Sequence, residues 1–305
     1  MMRSICVFLL TVGLPLSVHG TNGLAMEQLA DGIYVHQGVH EDVDSGNRGD
    51  IANIGFVIGD DCVAVIDTGG SPAVGEDLRA AVEQRTEKPI CHVINTHVHP
   101  DHVFGNNAFV DSGAEFIGHH RLAAQLSARG EYYREAMARM LDTELDENVI
   151  VPPDRAVEDS MELDLGGRVL RLQAMPTAHT DTDLVVLDQA TGTLWLGDLL
   201  FVDRIPSLDG SLLGWLAVMD DLRDIDAERV VPGHGPVSLD WPEAAADQQR
   251  YLEVLRDQTR QVIDAGATID QALRHVGRDE RDAWQLFEEY HEGNVQSAFA
   301  ELEWE

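Results

Sequence analysis

The hydrophobic positions of this chain form short runs separated by polar turns, with helical stretches between them. In the first half the runs are rich in Val and Ile and are bounded by Gly and Asp, which predicts β-strands. The predicted strands cover residues 33–35, 54–58, 63–66 and 90–95. Residues 72–85 instead have helical spacing after Pro72, a residue that favours helix starts. The order of elements here is therefore strand, helix, strand.

The second half repeats this alternation and then becomes helical. Strands are predicted at 169–173, 184–187, 193–196 and 229–231, and helices at 120–147 (interrupted near Gly130) and 211–224. After Trp241 the pattern is helical to the end, beginning with an amphipathic segment at 243–264. We expect an α/β sandwich of two sheets with helices outside. It forms one domain at 21–242, with a C-terminal helical extension at 243–305 packed on the same domain.

The N-terminus has the three parts of a secretory signal peptide. Arg3 supplies a positive charge, residues 5–16 form an apolar run, and small residues lead up to Gly20. The run is too short to span a bilayer comfortably. We therefore predict that residues 1–20 are a signal peptide cleaved after Gly20, and that the mature chain has no membrane span. In a bacterium it would be exported to the periplasm; a buried N-terminal helix is the alternative.

Acidic residues strongly outnumber basic ones, and this excludes some partners. The chain has 54 Asp+Glu against 21 Lys+Arg, a formal net charge of −33, and Lys88 is its single lysine. Such a polyanion is repelled by phosphate backbones and by anionic membranes, which excludes nucleic acid as a partner. With 44% hydrophobic residues the chain still has the material for a core. The acidic, lysine-poor composition is typical of a saline setting, where salt screens self-repulsion; a strongly solvated surface is the alternative.

Two cysteines remain after removal of the signal peptide. Cys62 and Cys91 each open an apolar run that ends in a polar turn. If the two strands are neighbours, the sulfurs lie at the same end of the sheet and can form a disulfide, which an oxidising compartment allows. Two buried free thiols are the alternative.

The strongest chemical signal directly follows a predicted strand. Residues 97–102 read His-Val-His-Pro-Asp-His, and the alternate residues His97 and His99 share one side of an extended chain. The following turn brings Asp101 and His102 close by. Imidazoles and a carboxylate are ligands that suit Zn²⁺. The run therefore predicts a metal site, the alternative being a polar loop that is rich in histidine by chance.

Three more candidate ligands lie at turns that follow later strands. His179 belongs to a Thr- and Asp-rich turn, Asp198 follows an apolar run, and His234 is flanked by glycines. Each residue alone is a weak signal, because a single histidine is more often a packed or surface residue. Their order and their positions at strand ends make the set a strong one.

With these residues the chain resembles the metallo-β-lactamase fold superfamily, over about residues 28–240. The signature His-x-His-x-Asp-His, followed by a His, an Asp and a His, is matched at every position. The resemblance implies an αββα sandwich with a two-metal site at the sheet edges. The implied ligands are His97, His99 and His179 for one metal, Asp101, His102 and His234 for the second, and Asp198 between them. A bridging carboxylate is more similar to the glyoxalase II-like members than to lactamases proper.

The resemblance also implies a reaction. Two Zn²⁺ ions, with iron or manganese as alternatives, would share a hydroxide that attacks an ester, thioester or amide carbonyl of a small-molecule substrate. Asp101 would orient this hydroxide as well as ligate the metal. Asp67 and Asp183 would support the ligands or their loops through hydrogen bonds; capping of turns is the alternative for both.

Substrate-binding candidates are Arg204, His119 and Asn53. Arg204 follows Asp198 on a loop that should border the cleft, where it would bind an anionic substrate group. A salt bridge to Asp203 or Asp209 is the alternative. A packed loop position is the alternative for His119, and Asn53 is a candidate for the rim.

Phrases outside the ligands resemble one exported subgroup, the quinoprotein relay system zinc metallohydrolases, which are related to the SoxH-type proteins. The phrases lie at residues 37–41, 52–56, 201–210 and 301–305. The resemblance implies association with a periplasmic quinoprotein (PQQ-dependent) dehydrogenase or its cytochrome. It does not name a substrate.

Four functions follow from these observations. The preferred one is an exported zinc hydrolase of a small ester, thioester or lactam-like compound. The alternatives are a β-lactamase proper, an iron-dependent persulfide dioxygenase, and a non-catalytic metal-binding accessory protein of a quinoprotein dehydrogenase. An exposed apolar face on the C-terminal helices would favour the accessory protein. That face would comprise Trp284, Phe287, Phe299 and Trp304.

Overall fold

The structure, a computed structural model, describes residues 24–305. The predicted signal peptide lies outside these residues. No helix in the described part of the chain is both long and apolar enough to cross a membrane.

Thirteen strands in the described residues form two sheets. The first sheet has seven strands in chain order: β1 Glu27–Ala30, β2 Ile33–His36, β3 Ile54–Ile58, β4 Val63–Ile66, β5 Ile90–Ile94, β6 Glu115–His119 and β7 Arg155–Val157. The second sheet has six strands in the order β13-β12-β11-β10-β9-β8. These strands are β8 Ser160–Asp164, β9 Val169–Ala174, β10 Leu184–Asp188, β11 Thr193–Phe201, β12 Arg229–His234 and β13 Leu239–Asp240.

Parallel pairing brings the chemically important turns together. Strands β4, β5 and β6 are mutually parallel neighbours in the first sheet, and β11 runs parallel to β12 in the second. The carboxyl ends of parallel strands meet at one edge of a sheet, where an α/β fold commonly places its ligand site. The residues that follow β4 and β5 therefore lie at this edge, as do the carboxyl-terminal halves of β11 and β12.

Helices cover both outer faces of the paired sheets. The helices are α1 Pro72–Glu83, α2 Pro100–Val103, α3 Leu122–Met140, α4 Leu212–Leu222, α5 Ala246–Asp264, α6 Ile269–His275 and α7 Phe287–Leu302. Short 3₁₀ turns lie at Asn106–Ser112, Glu147–Val149, Glu243–Ala245 and Arg278–Ala283. Helix α1 begins at a serine cap, since the side chain of Ser71 accepts a hydrogen bond from the backbone of Val74.

Three apolar layers hold the sandwich together. The middle layer lies between the sheets and includes Ile66, Ile94 and Trp195. One outer layer packs α1 on the first sheet, and the other packs α4 to α7 on the second. The expected αββα sandwich is confirmed. The C-terminal helices share their apolar cluster with the second sheet, because Tyr251 of α5 and Val295 of α7 belong to the same cluster as Leu196.

The boundaries of several elements differ from the sequence prediction. Helix α3 continues through Gly130 and ends at Met140, because Gly130 serves close packing: a Cβ there would lie 3.1 Å from Ile150. Strand β11 extends past the predicted end to Phe201. The short edge strands β1, β7, β8 and β13 were not predicted, since only a few of their residues are buried.

The structure joins the two cysteines. Cys62 lies next to β4, Cys91 lies in β5, and these strands are parallel neighbours. The two residues form a disulfide with their Cα atoms 5.8 Å apart. The bond links the starts of the two strands at the end of the sheet opposite the histidine run.

Candidate metal centre

The histidine run, residues 97–102, connects strand β5 to the short helix α2 and includes most of that helix. The extended residues 97–99 follow β5, and α2 then begins at Pro100, which presets the backbone for a helix. This turn places Asp101 and His102 in the first turn of α2, beside His97.

Four side chains converge to form the first ligand group. His97 and His179 direct Nε2, and His99 directs Nδ1, towards a common point at which the carboxylate of Asp198 also ends. The Nδ1 atom of His99 lies 3.2 Å from Nε2 of His97 and 3.0 Å from Nε2 of His179. Oδ2 of Asp198 lies 3.7 Å and 3.4 Å from the same two Nε2 atoms.

A second group forms next to the first. It consists of Asp101, His102 and His234. Nε2 of His234 lies 3.3 Å from Oδ2 of Asp101, and Nε2 of His102 lies 3.7 Å from the same oxygen. The other oxygen of Asp198, Oδ1, lies 3.0 Å from His102 and 3.4 Å from His234. Asp198 therefore turns one oxygen to each group, which is the arrangement of a bridging ligand.

These side chains fit metal ions. His102 Nε2 and Asp198 Oδ1 are buried and lie 3.0 Å apart without the geometry of a hydrogen bond, and neither has another hydrogen-bond partner among the described residues. Such atoms are costly to bury unless something binds them. The arrangement of the donor atoms also suits a cation, because three ring nitrogens and a carboxylate oxygen point towards one place. The site can therefore hold metal ions in both groups.

The electrostatics of the site favour neutral imidazoles at two of the histidines and a negative charge on Asp198. Burial lowers the pKa of His97 well below its usual value and that of His179 to about 3, so both imidazoles are neutral donors. Burial opposes ionisation of Asp198, but the neighbouring imidazoles hold its pKa well below the usual range. Around His102 burial is outweighed by three carboxylates, led by Asp198, which raise its pKa. These carboxylates therefore stabilise a positive charge at the second ligand group, either a proton on His102 or a bound cation.

Asp67 supports the site directly. Its Oδ2 accepts a hydrogen bond from Nδ1 of His102 at 2.8 Å and another from the hydroxyl of Thr96 at 2.7 Å. This contact leaves Nε2 of His102 to face the second group. Asp67 is held by the backbone as well, since its Oδ1 accepts from the Thr96 amide.

Asp183 instead holds a loop. Its carboxyl oxygens accept hydrogen bonds from the amide and the hydroxyl of Thr180 at 2.9 Å and 2.6 Å. Burial raises the pKa of Asp183 to about 7. It therefore caps the turn that carries His179.

Three contacts that the sequence did not predict orient the remaining ligands. Nδ1 of His179 donates to the carbonyl oxygen of Ser207 at 2.6 Å, and Nδ1 of His234 donates to that of Ile51 at 2.8 Å. Nε2 of His99 lies 3.2 Å from Oδ2 of Asp209. Backbone acceptors give no residue-type signal, which is why sequence reasoning missed them. The sequence indicated Asp209 only as a salt-bridge partner for Arg204, and it pairs with Arg129 instead.

A cleft of about 590 Å³ opens onto both ligand groups. Its wall carries ligands from each group, together with Arg204 and Tyr290. The apolar part of the wall comprises Val43, Ile51, Met137, Met140 and Phe201. A second space of about 560 Å³ adjoins it, with His99 and Ser207 lining both. The site is thus reached through an opening large enough for a small molecule.

Arg204 occupies the predicted position at the cleft. Only 4% of its surface is exposed, and it forms no ion pair within residues 24–305, so neither Asp203 nor Asp209 neutralises it. One guanidinium nitrogen donates to the hydroxyl of Tyr290 at 2.9 Å. Another lies 3.3 Å from Nδ1 of His234.

The other two substrate candidates have structural positions. Asn53 is buried and donates to the carbonyl oxygens of Pro232 and Gly235 at 2.8 Å and 3.0 Å, so it shapes the turn of His234. His119 is buried away from the cleft, where its Nδ1 accepts from the Arg121 amide. Both side chains hydrogen-bond to backbone groups, and their role in substrate binding stays a prediction.

The C-terminal helices reach the site, which the sequence did not suggest. Asn294 of α7 donates to the carbonyl oxygen of Pro206 at 2.7 Å and accepts from the amide of Leu208 at 2.9 Å. These two residues flank Ser207, the partner of His179. Helix α7 therefore fixes the loop that orients one of the ligands.

Comparison with known proteins agrees with this geometry. The family model described as "Metallo-beta-lactamase superfamily" matches residues 47–234, more than half of the chain. The chain belongs to this superfamily. The match begins within the loop between β2 and β3, after Asp42, and ends at His234, so it contains all seven candidate ligands and excludes Tyr290 and Asn294.

Two curated relatives are similar to part of the chain. The Beta-lactamase-like protein 2 homolog of Caenorhabditis elegans is 26% identical over 201 residues, covering 65% of this chain and 60% of that protein. The Linear primary-alkylsulfatase of Pseudomonas sp. (strain ATCC 19151) is 24% identical over 260 residues, covering 70% of this chain and 47% of that protein. The chain thus spans about half to three fifths of the length of these relatives.

Solved structures share the fold. A metallo-beta-lactamase from Pontibacter korlensis superposes with a TM-score of 0.61 at 19% identity, covering 75% of this chain and 99% of that one. A stereoselective inverting sec-alkylsulfatase from Pseudomonas sp. gives 0.65 at 16% identity, covering 92% of this chain and 50% of that one. At these identities the likeness shows the fold alone.

Proposed function

We propose that this protein is a dinuclear zinc hydrolase that acts on a small ester, thioester or lactam-like substrate. The observation that carries the proposal is the convergence of seven side chains into two groups that share Asp198, at the floor of a cleft. Membership of the superfamily supports hydrolysis. The all-His/Asp donor set supports zinc over metals that prefer sulfur or all-oxygen sites.

Bound zinc would lower the pKa of a water molecule towards about 7 and polarise the substrate carbonyl. The chain's own residues supply position and charge. Asp101 belongs to the second group and also lines the cleft, where its carboxylate can accept a hydrogen bond from a water or hydroxide and so orient that oxygen. Asp67 and the Ser207 carbonyl keep His102 and His179 in the orientation that binds metal. The apolar walls at Ile51 and Phe201 would exclude bulk water from the substrate.

We also propose export to the periplasm and association with a quinoprotein dehydrogenase or its cytochrome. The N-terminal pattern of Arg3, an apolar run and small residues up to Gly20 supports export. The phrases shared with the quinoprotein relay subgroup support the partner. N-terminal sequencing of the protein from the periplasmic fraction should begin at Thr21. An intact Met1 in a cytoplasmic fraction would contradict export.

Sulfate-ester hydrolysis is a second candidate. A relative is described as a linear primary-alkylsulfatase, and the cleft presents the unpaired guanidinium of Arg204, which would suit a sulfate group. The accessory-protein alternative is less favoured. Of the four aromatic residues that would form its docking face, Trp284 and Phe287 are buried and Trp304 is the exposed one, at 83%.

The experiment that tests the proposal uses the full-length mature protein loaded with zinc. It is assayed against a phenyl ester, an acyl thioester, a chromogenic cephalosporin and an alkyl sulfate. We expect hydrolysis of the ester or thioester, and loss of both metal and activity in a variant with His97→Ala and His99→Ala. Turnover of only the cephalosporin or only the sulfate ester would replace the proposed substrate class. Oxygen consumption by the iron-loaded protein with a persulfide, without hydrolysis by the zinc form, would overturn hydrolysis itself.

A further inference from the structure

A second space of about 560 Å³ adjoins the cleft at the ligand groups, and the proposed reaction does not use it. We propose that this space binds an uncharged aromatic ring of the substrate against Tyr132 of helix α3. The inference rests on the proposed hydrolase function and adds a substrate class to it: compounds that carry an aromatic ring close to the bond that is hydrolysed.

The imidazole of His99 lies between this second space and the ligand groups. Its Nδ1 atom faces the first ligand group, at 3.2 Å from Nε2 of His97 and 3.0 Å from Nε2 of His179. Its Nε2 atom instead lies 3.2 Å from Asp209, which lines the second space. His99 and Ser207 line both spaces. A substrate whose reacting bond lies at the ligand groups therefore reaches the second space by passing one imidazole ring.

One face of helix α3 lies along both spaces. Tyr133, Met137 and Met140 follow one another at helical spacing, which places them on the same side of the helix. Tyr133 lines the second space, and the two methionines line the cleft at the ligand groups. The surface of α3 is therefore continuous from the cleft into the second space, so that one substrate can contact both.

The second space presents aromatic surface that is open to a ligand. Tyr132 is 68% exposed, and its ring centre lies 5.9 Å from that of Tyr133 with the ring planes at 55°. The rings of Tyr133 and His99 are also neighbours, with centres 6.1 Å apart and planes at 80°. Leu208 adds apolar surface to the same space. Aromatic rings at such separations attract each other beyond the gain from burying apolar area, so a substrate ring beside Tyr132 would extend this row.

The charged residues that line the second space compensate each other. Arg129 and Asp209 form an ion pair with each other. Arg129 also donates a hydrogen bond to the hydroxyl of Tyr133 at 3.3 Å. An ionic group of the substrate would have to compete with this pair, and moving such a group out of water is costly. An uncharged ring has no such cost, so charge favours a neutral occupant.

The test uses the zinc-loaded mature protein and three neutral thioesters, with the loss of thioester absorbance as the measurement. S-ethyl thioacetate has no ring, S-(2-phenylethyl) thioacetate carries a ring on the thiol side, and S-ethyl 3-phenylpropanethioate carries a ring on the acyl side. We expect kcat/KM for one of the two ring-bearing thioesters to exceed that for S-ethyl thioacetate at least about tenfold. Its cyclohexyl analogue should be a poorer substrate. A cyclohexyl analogue that is hydrolysed equally well would overturn the aromatic assignment.

Substitutions at Tyr132 separate ring binding from general effects on activity. Tyr132→Ala should lower kcat/KM for the preferred ring-bearing thioester at least about fivefold more than for S-ethyl thioacetate, and Tyr132→Phe should keep the preference. Trp304→Ala removes another exposed aromatic side chain, which lines neither space, and should leave the preference unchanged. Equal losses for ring-bearing and ring-free thioesters in Tyr132→Ala would overturn the proposal.

A binding measurement decides the case in which no thioester is hydrolysed. The neutral fluorophore N-phenyl-1-naphthylamine is titrated into the wild type, Tyr132→Ala and Tyr132→Phe, and its fluorescence gives Kd without any reaction. A Kd at least about fivefold higher in Tyr132→Ala than in the other two proteins supports the aromatic subsite, even where hydrolysis itself fails. Equal Kd values for all three proteins would overturn the subsite, whatever the protein hydrolyses.

Discussion

The carboxylate of Asp67 lies 2.8 Å from Nδ1 of His102 and so decides which ring nitrogen of that histidine faces the ligand groups. Both residues are buried, at 2% and 0% exposure, and the contact joins the turn after β4 to helix α2. A carboxylate in this position fixes the tautomer of a ligand imidazole and raises its basicity. The candidate metal centre therefore depends on a residue that belongs to neither ligand group.

Asp67→Ala should lower the affinity for zinc by about 10- to 100-fold, because His102 loses the partner that orients it. Competition with a chromogenic chelator measures this affinity. The matched control is Asp188→Asn, which disturbs a buried ion pair with Arg168 and should reduce stability without changing zinc affinity. Equal zinc affinity in wild type and Asp67→Ala would show that the hydrogen bond does not orient the ligand.

Asn294→Ala tests whether helix α7 holds the loop beside His179. The substitution leaves the carbonyl oxygen of Pro206 and the amide of Leu208 without their partner, which should cost about 1–3 kcal/mol of unfolding free energy. It should also weaken zinc binding, because Ser207 between them orients His179.

The control for Asn294→Ala is Thr259→Val on the neighbouring helix. Thr259 is also buried, but its hydroxyl has no partner among the described residues, so its removal should leave the unfolding free energy equal or higher and the zinc affinity unchanged. Denaturant unfolding and chelator competition measure the two effects. A loss of stability in Asn294→Ala with unchanged zinc affinity would restrict this residue to packing.

Much of the site was predictable because its ligands carry a residue-type signal. The histidine run and the order of His179, Asp198 and His234 identify the ligands by residue type and spacing, and the fold brings all of them together. The alternation of strands and helices likewise indicates the two sheets. These features are local, since they depend on spacing along the chain.

The remainder depends on tertiary contacts that no local pattern encodes. Nothing in the sequence links Tyr290 to Arg204, which are 86 residues apart in the chain. Asn53 and His119 are polar residues next to strands, the same signal that identified the ligands. Their side chains point instead to backbone groups that only the fold brings near. Edge strands such as β8 escaped prediction because their outer residues are exposed and lack an apolar pattern.

His119 should make the protein sensitive to acid. Burial, followed by the charge of His120, lowers the pKa of His119 to about 4 from its ordinary value of 6.5. Between these values the unfolded chain binds a proton that the folded chain does not. The unfolding free energy is therefore independent of this group above pH 6.5 and decreases as the pH falls towards 4. The variant His119→Asn, which keeps an acceptor for the Arg121 amide, should show a shallower fall in unfolding free energy over this range. An unchanged pH profile would contradict the assignment.

The disulfide between Cys62 and Cys91 should contribute strongly to stability, since it closes a loop with a sequence separation of 29 residues. Loop-closure entropy for a chain of this length corresponds to about 3–4 kcal/mol. The double variant Cys62→Ala and Cys91→Ala should therefore unfold at a clearly lower denaturant concentration than the oxidised wild type, and reductant should lower the midpoint of the wild type alone. The ligand groups lie at the opposite end of strands β4 and β5, so the zinc affinity of the folded variant should be unchanged. Thiol titration in denaturant provides the direct check: the mature oxidised protein should yield no free thiol from these two residues, and recovery of both would show that they are not bridged.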